Sequence, residues 1–125
     1  MQVIFAVTDL ERSLDFYERA FGWPRNARID YSNYVELLMP DGASLGLFER
    51  GGFAGLVGAR PAEIPEGEIA PAYLYVRVDD VEPAVARIEQ AGGRLLSALA
   101  AQSWGERAAW FADPDGNAVA VASTA

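Results

Sequence analysis

The sequence predicts an α+β fold built from two tandem β-α-β-β-β modules, and three observations carry that prediction. The first is an echo. Val7-Thr8-Asp9-Leu10-Glu11-Arg12 ahead of Phe21-Gly22-Trp23 returns 71 residues later as Val78-Asp79-Asp80-Val81-Glu82-Pro83 ahead of Gly92-Gly93-Arg94. The second is a matching turn: Pro40-Asp41-Gly42 and the run to Leu47 recur 74 residues on as Pro114-Asp115-Gly116 and the run to Val121, a slip that a loop insertion absorbs. The third is the order of hydrophobic periods, which change from two to 3.6 and back to two in each half. Duplicated halves bury their sheets together, so function is expected at the seam between them.

The elements follow in order. Gln2 to Val7 alternates and is β-rich. Asp9 stands at an N-cap, and Leu10, Leu14, Tyr17 and Phe21 fall on one helical stripe that Gly22 and Pro24 terminate. Strands are expected at about Arg28 to Asp30, Tyr34 to Met39 and Ser44 to Glu49, the last two joined by the Pro40-Asp41-Gly42 turn as a tight hairpin. The second half repeats the order. It has a strand Ala72 to Val78, a helix Val81 to Ala91 capped by Asp79 or Asp80, strands Arg94 to Ser97 and Arg107 to Ala112, the Asp113-Pro114-Asp115-Gly116 turn, and a strand Asn117 to Ala122.

A single domain, 1–125, thus holds modules at 1–50 and 72–125. The intervening 51–71 contains five glycines and three prolines among Glu63, Glu66 and Glu68, and reads as a connecting loop. Its length suits either a mobile linker or a lid, and Phe53 and Leu56 favour a lid that packs on ligand.

Composition removes several functions. With no cysteine there are no disulfides, thiolate nucleophiles or sulfur metal sites. All ten basic residues are arginine and the net charge is −8, so no nucleic-acid partner is expected and no lysine can form a Schiff base. No apolar run is long enough for a membrane span, and nothing at Met1 resembles a signal peptide, which makes a cytoplasmic location the expectation. With no histidine to activate Ser13, Ser32, Ser97, Ser103 or Ser123, a hydrolase triad is excluded. Asp9, Asp79, Asp80 and Asp113 read as caps, and Asp115-Gly116 as a turn pair.

Alternation sorts the strand faces. One face is Val3, Phe5 and Val7; Leu45 and Leu47; Leu74, Val76 and Val78; Val119 and Val121, and must carry the helices. The other is Gln2, Ile4 and Ala6; Ser44, Gly46 and Phe48; Tyr73, Tyr75 and Arg77; Ala118, Ala120 and Ala122. Small residues leave volume there, while rings and sparse polar groups supply contact, as in a cavity lining.

The duplicated modules, the Asp9-to-Tyr17 stretch leading to Phe21-Gly22-Trp23, and the Asp113-Pro114-Asp115-Gly116 turn resemble the vicinal oxygen chelate superfamily over essentially the whole chain. This superfamily includes glyoxalase I, extradiol dioxygenases, fosfomycin-resistance enzymes and bleomycin-resistance proteins. The resemblance implies half-barrels of curved mixed sheet around a central cavity, with modules paired within a chain or across chains. A homodimer is therefore expected. It also implies a divalent ion held by His, Gln or Glu at four positions, which here are Gln2, Gly46, Tyr73 and Ala120. Glycine and alanine offer no donor, and one glutamine with a neutral tyrosine is inadequate, so these are read as vacated metal positions with no metal or other cofactor expected.

What remains resembles the metal-free bleomycin-resistance-like branch, in which the emptied metal site enlarges a cavity that sandwiches a flat organic ligand between rings. The candidate ligand-binding residues are Glu36, Phe48, Tyr73, Tyr75, Arg77, Trp104 and Trp110, with no catalytic residue assigned. Trp104 and Trp110 are favoured because indole needs an N–H partner and serves as a stacking surface. Glu36 and Arg77 face the cavity, either as a mutual ion pair or rim groups, or as ligand contacts. The expected function is sequestration of a small molecule. The rivals are a glyoxalase-like or dioxygenase-type enzyme, metal-free or with metal on residues such as Glu36 and Glu49, and a subunit or regulatory module without ligand.

Overall fold

The computed structural model describes residues 1–124. Its elements are β1 (Gln2–Val7), α1 (Leu10–Phe21), β2 (Tyr34–Leu38), β3 (Ser44–Glu49), α2 (Arg50–Val57), β4 (Tyr73–Arg77), α3 (Val81–Gln90), β5 (Arg94–Ala101), β6 (Glu106–Ala112) and β7 (Ala118–Thr124). They form two mixed sheets, β1-β3-β2 and β4-β7-β6-β5, neither closed on itself. The strand pairing repeats between the halves: β1 runs parallel to β3 as β4 does to β7, and each module's last strand also pairs antiparallel with the strand before it.

α1 forms where its apolar stripe and cap coincide. The Asp9 carboxylate accepts from the Arg12 N–H at 3.1 Å, and Gly22 ends the helix in the left-handed region at φ 69°. Asp80 occupies the corresponding N-cap of α3, without a side-chain hydrogen bond to the helix. Leu10, Leu14 and Tyr17 of α1 and Val81, Ala84 and Ile88 of α3 pack with Leu45, Leu47, Val119 and Val121 in one core. The face assigned to the helices therefore carries them, with Val3, Phe5, Leu74, Val76 and Val78 packed on its margin.

The second Pro-Asp-Gly turn is tied across the molecule. Asp115 accepts from the Thr8 N–H at 3.0 Å and the Ser13 hydroxyl at 2.8 Å, while Tyr17 donates to buried Asp113 at 2.5 Å. Burial raises the pKa of both Tyr17 and Asp113, for the carboxyl against the opposing effect of its hydrogen bonds. Asp113 also accepts from the Asp115 and Asn117 N–H groups, each at 2.9 Å, which makes it a turn former as read.

Two expectations are corrected. The strand at Arg28 to Asp30 is absent; this region keeps only isolated bridges, Arg25 with Leu37 and Tyr31 with Tyr34. Asn26 accepts from the Arg28 N–H at 3.1 Å, so a local side-chain turn takes the backbone that a fourth strand would need. The stretch 51–71 is not loop throughout, because it begins within α2. That helix lies on the open side of the first sheet, where a Cβ on Gly52 would stand 2.5 Å from the Phe48 ring. The remainder follows the second module's turn: Ala70 N–H donates to Gly116 O at 2.9 Å and Ile64 covers Gly116.

Candidate functional site

On the second sheet the open face is an aromatic wall. Tyr73, Tyr75 and Arg77 of β4 stand in register with Ala118, Ala120 and Ala122 of β7, and Trp110 of β6 stands opposite Ala120 from the other side. A row of alanines between the bulky β4 row and Trp110, itself flanked by Ala108 and Ala112, lets the rings lean inward, and the β7 alanines are 1% exposed or less. Trp104, on the β5–β6 turn, folds back to join them. Ring centroids lie 6.0 Å apart for Tyr73–Trp110, 6.4 Å for Tyr75–Trp110, 6.3 Å for Tyr75–Trp104 and 6.4 Å for Trp104–Trp110. These separations fall within the range of favourable ring contacts.

The polar ends of Tyr75, Arg77 and Trp104 are satisfied internally. The Trp104 indole N–H donates to the Tyr75 hydroxyl at 2.9 Å, and that hydroxyl donates to Glu106 at 2.9 Å. Arg77 forks onto the same carboxylate at 2.8 and 3.3 Å, with its guanidinium 5.1 Å from the Tyr75 ring centre. The hydrogen bond from Arg77 is the main cause that holds Glu106 below the usual carboxylate range. Desolvation is the main cause that raises the Tyr75 phenol. Trp104 thus finds the indole partner expected of it.

On the first sheet the open face is more polar. Glu36 stands opposite Gly46 and accepts from the Gln2 amide, the Asn26 amide and, at 3.2 Å, the Ser44 hydroxyl. Among the described residues no cationic group lies within 4.0 Å of it. The mutual ion pair considered for Glu36 and Arg77 is therefore not the arrangement found. Phe48 packs edge-on against Tyr34 at 5.4 Å and against Phe53 of α2 at 6.3 Å. Ile4, Tyr31, Tyr34, Phe48 and Leu56 line an apolar cavity of about 290 Å³ there.

The expected site residues thus fall into two groups. Tyr73, Tyr75, Arg77, Trp104 and Trp110 come together on one sheet, and Glu36 with Phe48 lies on the other. Among the described residues no hydrogen bond or ring contact links the groups. A cavity of about 390 Å³ opens at the seam, between Met1, Val3 and the Met39–Ala43 turn on one side and Tyr73 to Arg77 on the other. A separate polar cavity of about 400 Å³ surrounds Arg12, Arg50 and Arg94, whose guanidiniums already engage Asp115, the carbonyls of Pro61 and Ala62, and that of Glu68.

The space expected at Gly46 is filled, because a Cβ there would lie 2.4 Å from the Tyr34 hydroxyl. Ala120 is likewise fully buried between its ring neighbours. Neither position opens a hole, because adjacent aromatic side chains occupy the volume. The donor set does not fit a divalent ion either. Gln2 turns its amide nitrogen to Glu36 and Tyr34 and offers at most one amide oxygen, Gly46 and Ala120 carry no donor, and no three His, Cys, Asp or Glu side chains gather among the described residues.

Sequence reasoning missed Glu106, Tyr34 and Asn26. The first two share a face with Trp110 and Glu36 by simple alternation, whereas Asn26 arrives from an irregular turn.

Two open mixed sheets, backed on one face by α1 and α3, define the glyoxalase-type α+β fold. The chain belongs to the Glyoxalase/Bleomycin resistance protein/Dioxygenase superfamily, whose profile matches residues 2–121. It is similar to a glyoxalase-related enzyme from Fulvimarina pelagi, with 25% identity over 98% of this chain and 86% of that one at a TM-score of 0.84. The fosfomycin resistance protein FosX from Mesorhizobium loti shares the fold at 16% identity and a TM-score of 0.70, covering 100% of this chain and 91% of that one. So does TioX from Micromonospora sp. ML1, at 23% identity and a TM-score of 0.70, covering 100% and 98%.

Proposed function

We propose that this chain is a metal-free small-molecule-binding protein that sequesters a flat organic ligand by stacking it on the Tyr73, Tyr75, Trp104 and Trp110 wall. The observation that carries this reading is that four rings gather on one open face, where Trp104 and Tyr75 are fixed by hydrogen bonds that end on Glu106. Such a surface offers π faces and apolar edges to a planar molecule, while the Tyr73 hydroxyl and the Trp110 indole N–H, without partners among the described residues, can meet its polar rim. The carboxylate beside the wall, Glu106, is held by Tyr75 and by the Arg77 fork, which favours an orienting role over proton transfer and so binding over catalysis.

The active form is a two-fold homodimer in this reading, since each sheet is an open half-barrel. The partner's first sheet would then supply Glu36 and Phe48 opposite the wall.

Tryptophan fluorescence titrated with planar tricyclic dyes tests the proposal. Wild-type protein should quench saturably, and Trp110→Ala should lose about 1–3 kcal/mol of affinity, the range for aromatic stacking on flat bases. Unchanged affinity in that variant would remove the wall from the site. A stoichiometric transition metal in protein purified without chelator would overturn the metal-free assignment.

A further inference from the structure

We propose that the ligand is a cation, a planar ring system carrying a protonated nitrogen, and that Glu36 is its counter-charge. The inference rests on the binding role and the two-fold pairing proposed above, which sets Glu36 of one protomer opposite the wall of the other, and adds the charge of what is bound.

Three charged side chains, Arg77, Glu106 and Glu36, stand on the open faces, and the structure separates the first two, which pair with each other, from the third. Arg77 is neutralised by the two-point contact with Glu106 and further occupied by the Tyr75 ring, so it is not free to attract a carboxylate. Glu36 is half-buried and holds no cation among the described residues. Its three partners, Gln2, Asn26 and Ser44, are neutral donors that orient the carboxylate without cancelling its charge. An ionised carboxylate accepts about four hydrogen bonds, so three donors leave about one acceptor position open. Removing a net charge from water without a counter-ion is costly, and a cationic ligand would relieve that cost on binding.

Three further features act in the same direction. Ring faces attract cations through their quadrupoles, and the open faces are lined with them. The net charge of −8 raises the local concentration of cations and repels anions. A neutral amide donor could reach Glu36 but would leave its charge standing.

Three planar probes of similar shape distinguish charge from stacking: proflavine, a monocation; acridone, neutral; and acridine-9-carboxylate, an anion. Proflavine should bind wild type at least about tenfold more tightly than acridone, and the carboxylate most weakly. Added salt should weaken proflavine alone. Glu36→Gln, which preserves shape, should bring proflavine to the level of acridone and leave acridone unchanged.

Equal affinities of wild type for proflavine and acridone would overturn the cation assignment while leaving the stacking role intact, and this comparison needs no variant to fold. Should Glu36→Gln, folded by circular dichroism, weaken both dyes equally, Glu36 is structural and the inference falls. If none of the three binds, sequestration itself is wrong and the charge assignment falls with it.

Discussion

Glu106 is the residue on which the aromatic wall turns, since it receives both the Tyr75 hydroxyl and the Arg77 fork. An unfolded glutamate titrates near ~4.3. The folded value lies lower, chiefly through the Arg77 hydrogen bond, so this contribution to stability is present above the unfolded pKa and is lost as pH falls through the folded one. Carbon-detected NMR titration should therefore place the Glu106 midpoint below that of ordinary glutamates. Arg77→Ala should move it upward, and a wild-type midpoint at or above the ordinary value would show that the fork does not persist in solution. Glu106 was legible in principle: it precedes Trp110 by four residues in one strand and so faces the same side. The pairing of Arg77 was not, because alternation names a face without naming a partner across three strands.

At the scale of elements, β7 shows how a run of alanines positions larger groups. Flanked in register by Tyr75 and Trp110, Ala120 is fully buried, so the wall rests on its small size. Ala120→Leu should cost about 1–3 kcal/mol by overpacking and should blue- or red-shift tryptophan emission as the rings are displaced. Urea unfolding followed by fluorescence would check both, and a variant as stable as wild type with an unchanged spectrum would mean the rings do not lean on β7. Legibility varied among the elements for physical reasons. α1 was readable because cap, stripe and terminating glycine agree. α2 was hidden by Gly51, Gly52 and Gly55, which each lower helix propensity; it forms where Gly52 can approach Phe48 and Asn33 closely and Phe53 can reach Phe48. The expected strand near Arg28 failed to a turn centred on Asn26, a competition that residue types alone do not decide.

For the whole molecule, the open faces remain to be covered. Ile4, Tyr73 and Trp104 are 38, 53 and 53% exposed, and Leu56 and Val57 at the end of α2 are 78 and 60% exposed. Exposed apolar groups on each of two open faces are the kind of surface that an interface or a ligand covers. The two halves of the candidate site lie on different sheets without touching, and a second copy related by a two-fold axis can bring the Glu36 side of one protomer opposite the Tyr73–Trp110 wall of the other. Isologous pairing also closes the assembly, so exposed edges would not propagate into filaments. Light scattering at micromolar concentration should accordingly give twice the 13.5 kDa mass of the chain. Because folding would be coupled to association, the melting temperature should rise with protein concentration. A species of single-chain mass whose melting temperature is independent of concentration would refute the dimer, and binding would then have to be carried by one chain's wall and seam alone.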